Sequence, residues 1–210
     1  MISLSEEQEK ERLGDLEEKL DQELAELRER LIDAFTEIAA RDGFNATKIA
    51  EVCSTAGVSN SSFYKHFPDK AAVFLAAAER SRREVNQAVL AVDPTLGWLD
   101  YLRQALTAYL EILDRDRRAA AVLLIDSSGP PEATRERRRQ SAAEFVVLIR
   151  SIHERIQAEE PSLAADDPVD DRVYRSVFEG ITGLVAGSLE DDLEAPVIDL
   201  VDPLVRFLGA

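Results

Sequence analysis

Leucine recurs at positions 13, 16, 20, 24, 27 and 31, at intervals of three and four residues, with Glu, Lys, Arg and Gln between. That spacing keeps the leucines on one side of a helix. It predicts an amphipathic helix over residues 6–42 whose leucine face packs on the rest of the chain, since the leucines span too few heptads for a sustained coiled coil. Gly14 weakens its first turns by about 1 kcal/mol relative to Ala. Asp42-Gly43 ends it, because Gly adopts the left-handed conformation of a helix terminus at little cost. Thr47 then reads as the N-cap of a short helix, Lys48 to Thr55. Ala56-Gly57-Val58 makes a tight turn, and Ser59 caps a second short helix, Asn60 to Phe67. Pro68 stops that helix, and Asp69 caps a long one running to about Val92.

Pro94 breaks the chain again. Helical periodicity resumes over Thr95 to Arg115, Arg117 to Ile125, Glu132 to Glu159, Asp171 to Leu189 and Pro196 to Leu208, with Pro203 kinking or dividing the last helix. Ser127-Ser128-Gly129-Pro130-Pro131 is a loop, and residues 161–168 form an acidic connector. The pattern predicts nine or ten helices: an all-α protein with a small N-terminal three-helix unit and a larger bundle after it. The expected division is 1–23 as an acidic helical extension, 24–72 as the small unit and 73–210 as the bundle.

Composition narrows the class. The chain has 210 residues, 45% of them hydrophobic, with 9 Gly and 8 Pro, which fits a folded helical protein and excludes collagen-like and low-complexity sequences. No apolar run approaches the roughly 20 residues a membrane span needs, and the start of the chain is acidic where a signal peptide is basic then apolar. A cytoplasmic protein with no membrane partner is therefore expected. Cys53 is the one cysteine, so no intrachain disulfide or Cys-based zinc site can form. It reads as a small buried residue rather than a redox switch.

Charge matters through its distribution. The net charge is −16, which argues at first against nucleic acid. Yet residues 31–70 carry 5 acids and 4 bases, so the excess lies in the flanks. Within that nearly neutral stretch, two short helices joined by a Gly-containing turn are the signature of a helix-turn-helix. Ile49, Val52, Cys53, Val58 and Phe63 are spaced to form its core. The second helix is then left to present Asn60, Ser61, Ser62, Tyr64, Lys65 and His66. Amide and hydroxyl groups suit base edges in a major groove, phenol and ammonium suit phosphate, and the helix N-terminus attracts phosphate.

Residues 28–75 resemble the DNA-binding domain of the TetR family of bacterial transcriptional regulators. The resemblance runs from Arg28-Glu29-Arg30-Leu31-Ile32-Asp33-Ala34-Phe35 through Gly43-Phe44-Asn45-Ala46-Thr47 and Ala56-Gly57-Val58-Ser59 to Phe63-Tyr64-Lys65-His66-Phe67-Pro68-Asp69-Lys70. It covers under a quarter of the chain, with its elements in order and without gaps. It implies phosphate contacts by Thr47, Lys48, Tyr64 and Lys70, and base-edge contacts by Asn60, Ser61, Ser62 and Lys65, beside the capping Ser59. His66 falls at the helix end, either next to phosphate or packed under the next helix. Three departures stand out. Asn60-Ser61-Ser62 replaces the family's usual Lys-Gly-Thr, so the operator cannot be borrowed from relatives. Ala39 stands where an aromatic is common and Phe35, one turn earlier, where a small residue is usual, so Phe35 is expected to fill the vacated volume. The acidic extension is unlike the short basic arm of some relatives.

For the bundle the resemblance implies a two-fold dimer built from the last two long helices and an inducer pocket among the middle ones. Gly180, Gly183 and Gly187 recur at spacings of three and four, a small-residue face that permits close helix approach. With Leu184, Val201 and Leu204 it forms a candidate homodimer surface, ordinary intrachain packing being the alternative. Trp98, Tyr101, Leu102, Tyr109, Leu123, Phe145, Ile149, His153, Tyr174 and Phe178 combine apolar bulk with polar tips, as small-molecule sites do. They are expected either to line a pocket or to fill a core.

Enzyme chemistry finds no purchase. There is no nucleophile elbow, phosphate-binding Gly loop or dinucleotide fingerprint. His66 and His153 belong to no helical metal pattern, and Asp166-Asp167, Asp170-Asp171 and Glu190-Asp191-Asp192 lack EF-hand spacing and read as caps and solvated turns. No catalytic residue, metal or cofactor is expected. The reading is a DNA-binding regulator, foremost a repressor, that meets a double-stranded operator of two half-sites as a homodimer and is released by an unidentified small-molecule inducer. The alternative is an interaction protein whose acidic N-terminal helix binds a partner or masks the DNA-binding face.

Overall fold

The computed structural model describes residues 6–125, 131–159 and 169–209, and among these every regular element is helical. The helices are α1 (Glu6–Asp42), α2 (Ile49–Ala56), α3 (Asn60–His66), α4 (Lys70–Leu90), α5 (Trp98–Arg115), α6 (Arg117–Leu124), α7 (Pro131–Glu159), α8 (Asp171–Asp191) and α9 (Val201–Leu208), with a 3₁₀ turn, Val197–Leu200, before the last.

Side-chain caps fix the starts of α3, α4, α6 and α8. The Ser59 hydroxyl accepts from Ser62 N–H at 3.1 Å, Asp69 from Ala72 at 2.8 Å, Asp116 from Ala119 at 2.9 Å and Asp170 from Arg172 at 2.8 Å. Each satisfies an N–H group that a helix start leaves without an intrahelical partner. Two expectations fail at this level. Thr47 does not cap α2: Lys48 is the flanking residue and makes no side-chain cap. Thr47 is buried, and its hydroxyl donates to the Gly43 carbonyl at 2.9 Å. Pro203 does not kink the last helix either. The break falls between the 3₁₀ turn and α9, and Pro203 lies in the first turn of α9, where a missing N–H costs nothing.

The first core joins Leu31, Ile32, Phe35 and Ile38 of α1 to Val52 and Cys53 of α2, Phe63 of α3, and Val73, Phe74, Ala77 and Ala78 of α4. It continues past the expected boundary at residue 72 and takes in Val122 and Leu123 of α6. Phe35 is fully buried, edge-on to Phe44 and Phe74 at centroid distances of 6.3 and 6.4 Å, while Ala39 beside it is also buried. The second core gathers Leu102, Leu106, Leu110 and Leu113 of α5 with Ile181, Val185 and Leu189 of α8 and Val197, Val201, Leu204 and Val205 at the chain's end. Asp114 ties that end down, accepting the N–H groups of Val197 and Ile198 at 2.9 and 3.0 Å.

The leucine face of α1 divides. Leu31 is fully buried and Leu27 packs against the first core, but Leu16, Leu20 and Leu24 are 59, 54 and 42% exposed. The expectation that this face packs on its own chain holds only from Leu27 onward. The side chain of Leu13, like the 127–130 loop, the 161–168 connector and Asp166-Asp167, lies outside the described residues. Among the described residues no helix is long and apolar enough to cross a membrane, and no three His, Cys, Asp or Glu side chains gather to hold a metal ion.

Candidate DNA interface and ligand cavity

The turn between α2 and α3 depends on Gly57, whose φ of +70° and ψ of 34° lie in the left-handed region. Its N–H reaches the Ser54 carbonyl at 3.2 Å, and Val58 N–H reaches Cys53 at 2.9 Å. Gly57→Ala leaves room for the methyl but imposes this conformation on an L side chain, and should lower stability by about 1–2 kcal/mol in urea unfolding. Beyond the turn, the fully buried Phe63 ring lies 5.8 Å from Phe67 and anchors α3. Cys53 faces the same core, where burial pushes its thiol pKa up and keeps it in the unreactive thiol form.

With Phe63 inside, α3 turns Asn60, Ser61, Tyr64 and Lys65 to solvent, Tyr64 being 56% exposed. Lys48, at the start of α2, is exposed as well. The remaining expected contacts are differently engaged. Ser59 and Ser62 hydroxyls bond each other at 3.0 Å within the cap. Thr47 is buried, as above. Lys70 points inward: its ammonium donates to the carbonyls of Phe44, Asn45 and Thr47 at 2.8, 3.2 and 3.1 Å and stands 4.5 Å above the Phe44 ring. That group straps the α1–α2 loop to α4, and its burial pushes the ammonium pKa below the usual lysine range. His66 is half-buried at the end of α3. Desolvation, then the cations of Arg28 and Lys65, pull its pKa below the usual histidine value.

In the bundle, a cavity of about 680 Å³ opens between α4, α5, α7 and α8, within the usual range for small-molecule sites. Trp98, Tyr101, Tyr109, Phe145, Ile149, His153, Tyr174 and Phe178 all line it, together with Leu102 and Leu123. The sequence reading missed the α4 wall, Ala78, Ser81, Arg82, Val85, Asn86 and Val89, and the α7 residues Arg137, Arg138, Ser141 and Glu144. Small α4 side chains such as Ala78 and Ser81 give no signal until the helix is seen beside a void. The polar groups are ordered. Gln157 Nε2 lies 3.1 Å from His153 Nε2, and His153 Nδ1 lies 2.5 Å from the Tyr174 oxygen. The Tyr109 hydroxyl is covered and has no partner.

The candidate dimer residues separate. Val201 and Leu204 are 8 and 6% exposed and belong to the second core, so they are not available as an outer face. Gly180, Gly183 and Leu184 are exposed and Gly187 is half-buried. Among the described residues, no heavy atom beyond the helix's own backbone lies within 4 Å of where a Cβ would stand on any of these glycines.

Residues 31–77 match the model of the bacterial regulatory proteins of the tetR family. The chain is 43% identical over 54 residues to the HTH-type transcriptional regulator YerO of Bacillus subtilis (strain 168), a stretch covering 26% of this chain and 19% of that one. It is 30% identical over 99 residues to the HTH-type transcriptional regulator AcrR of Shigella flexneri, covering 44% of each. The chain thus spans less than half the length of these curated relatives. Over most of its length the fold is similar to that of the transcriptional regulator FadR from Bacillus subtilis in complex with stearoyl-CoA, with a TM-score of 0.71 at 18% identity, over 85% of this chain and 96% of that one. Residues 31–77 thus carry a helix-turn-helix of the tetR family, set on an all-helical fold similar to that of solved transcriptional regulators.

Proposed function

We propose that the chain is a repressor that holds a two-half-site operator as a homodimer and leaves it when a small molecule enters the cavity. One observation carries the coupling. Ala78 and Leu123 belong both to the core that fixes the helix-turn-helix and to the cavity wall. A ligand that displaces α4 or α6 therefore moves the packing beneath α3, and a shift of recognition helices off half-site spacing lowers operator affinity. The stearoyl-CoA held by FadR supports a ligand with a large apolar part for this chain too. Dimerisation through the open Gly180–Gly183–Gly187 face of α8 fits its exposed Val173 and Leu184.

Asn60, Ser61 and Lys65 meet base edges in this reading, with Tyr64 and Lys48 on phosphate. Thr47 and Lys70 support the loop instead. The test is binding to DNA from upstream of the chain's own gene across a salt series. Lys48 and Lys65 from each of two protomers correspond to a log–log salt slope of about −4. Tyr64→Ala and Lys65→Ala should weaken binding, and folded protein that prefers no sequence over random DNA would overturn the reading. Coupling requires that the ligand bind free protein more tightly than operator-bound protein. Equal affinities would sink it.

The exposed Leu16, Leu20 and Leu24 favour a second role for the extension, as a partner-binding helix. α1 runs uninterrupted from Glu6 to Asp42 and passes the end of α3, where the Arg28 guanidinium lies over the Phe67 ring.

A further inference from the structure

Arg28 of α1 stands at the end of α3. Its guanidinium lies 5.2 Å from the centroid of the Phe67 ring, the residue that follows α3, and its charge acts on the adjacent His66. The exposed Lys65 acts on the same imidazole. Cations from two helices thus converge on one spot of a chain whose net charge is −16. Desolvation is the largest cause of the lowered His66 pKa, and repulsion by Arg28 and Lys65 adds to it. A place that disfavours a further positive charge favours an anion.

Other arginines of α1 and α4 hold two carboxylates each. Arg41 takes Asp42 and Glu51, and Arg82 takes Glu79 and Glu144. Arg80 takes Glu29 and Asp33 of α1 at 3.1 and 2.6 Å. Arg28 reaches Glu29 at 3.6 Å, an exposed pair that contributes little and whose carboxylate Arg80 shares. The Arg28 side chain is 42% exposed, and the Phe67 ring steadies its guanidinium. A planar fork held in this way suits the paired oxygens of a phosphate. The spot also continues the exposed surface of α3, whose last turn carries Tyr64 and Lys65. Resting on the DNA-binding reading above, we propose that Arg28 holds a backbone phosphate of the operator where the strand passes the end of α3. This seat adds one cationic contact per protomer to those of Lys48 and Lys65.

The test compares the wild type with Arg28→Gln, Arg28→Lys and Lys19→Gln on DNA from upstream of the chain's own gene, across a salt series. Arg28→Gln should flatten the log–log slope by about 2 in the proposed dimer and weaken binding about tenfold or more at about 0.15 M salt. Arg28→Lys keeps the charge and should keep the slope. Lys19→Gln removes a cation from the exposed part of the same helix and should leave the slope unchanged. A scan replacing single phosphates by uncharged methylphosphonates locates the contact. At one position in each half-site the wild type should lose affinity and Arg28→Gln should not. An unchanged slope in folded Arg28→Gln, an equal flattening by Lys19→Gln, or a scan without such a position overturns the seat. Arg28 then only packs on Phe67, and DNA binding through α3 stands. A wild type that prefers this DNA no more than random sequence overturns the DNA-binding reading itself.

Discussion

Phe35→Ala is expected to destabilise the chain by about 3–5 kcal/mol, the usual cost of removing a fully buried aromatic ring. The physical reason lies in what the ring joins. Phe35 of α1, Phe44 of the following loop and Phe74 of α4 form a mutually edge-on trio, with Phe44 and Phe74 at 5.3 Å. Ala39, one turn on, is too small to close over the cavity the substitution leaves, and it is itself already buried. Phe35→Leu keeps much of the volume and should cost under about 1.5 kcal/mol. The check is a pair of urea titrations at equal denaturant slope. A Phe35→Ala cost below about 1 kcal/mol would show that the ring does not compensate for the missing aromatic at position 39.

The helices were legible because their signals are local. Ser59, Asp69, Asp116 and Asp170 each cap a helix from a position directly before it. Most of the bulky cavity residues were legible for a related reason: Trp98, Tyr101 and Tyr109 on α5, and Phe145, Ile149 and His153 on α7, recur at helical spacing and so share a face. Periodicity marks a face but does not say what covers it. Leu16, Leu20 and Leu24 continue the stripe of Leu27 and Leu31 without interruption, and the stripe simply outlasts the body it packs on. The same limit explains Val201 and Leu204. Their spacing identified an apolar face of α9, and α5 of the same chain covers it. Whether aromatic side chains fill a space or line it depends on volumes summed over several helices, which no single segment displays.

Lys70 shows a further limit, because a long side chain can be spent far from its place in the sequence. The family resemblance implies a phosphate contact for Lys70, yet its ammonium reaches back to the loop around Phe44. Lys70→Ala should therefore lower stability by about 2 kcal/mol, since carbonyls on that loop lose a charged donor. Operator binding by the folded fraction should keep its salt slope, because no phosphate contact has been removed. Lys65→Ala should do the reverse. Lys65 is exposed and, in the proposed dimer, its loss removes one cation from each protomer, flattening the slope by about 2 with little change in unfolding. Lys70→Met separates packing from hydrogen bonding, because its apolar chain can still lie over the Phe44 ring. If Met restores stability, the ring contact is the larger part of the strap; if it does not, the carbonyl bonds are. A Lys70→Ala variant that unfolds like the wild type and binds DNA with a flattened slope would return Lys70 to the phosphate backbone.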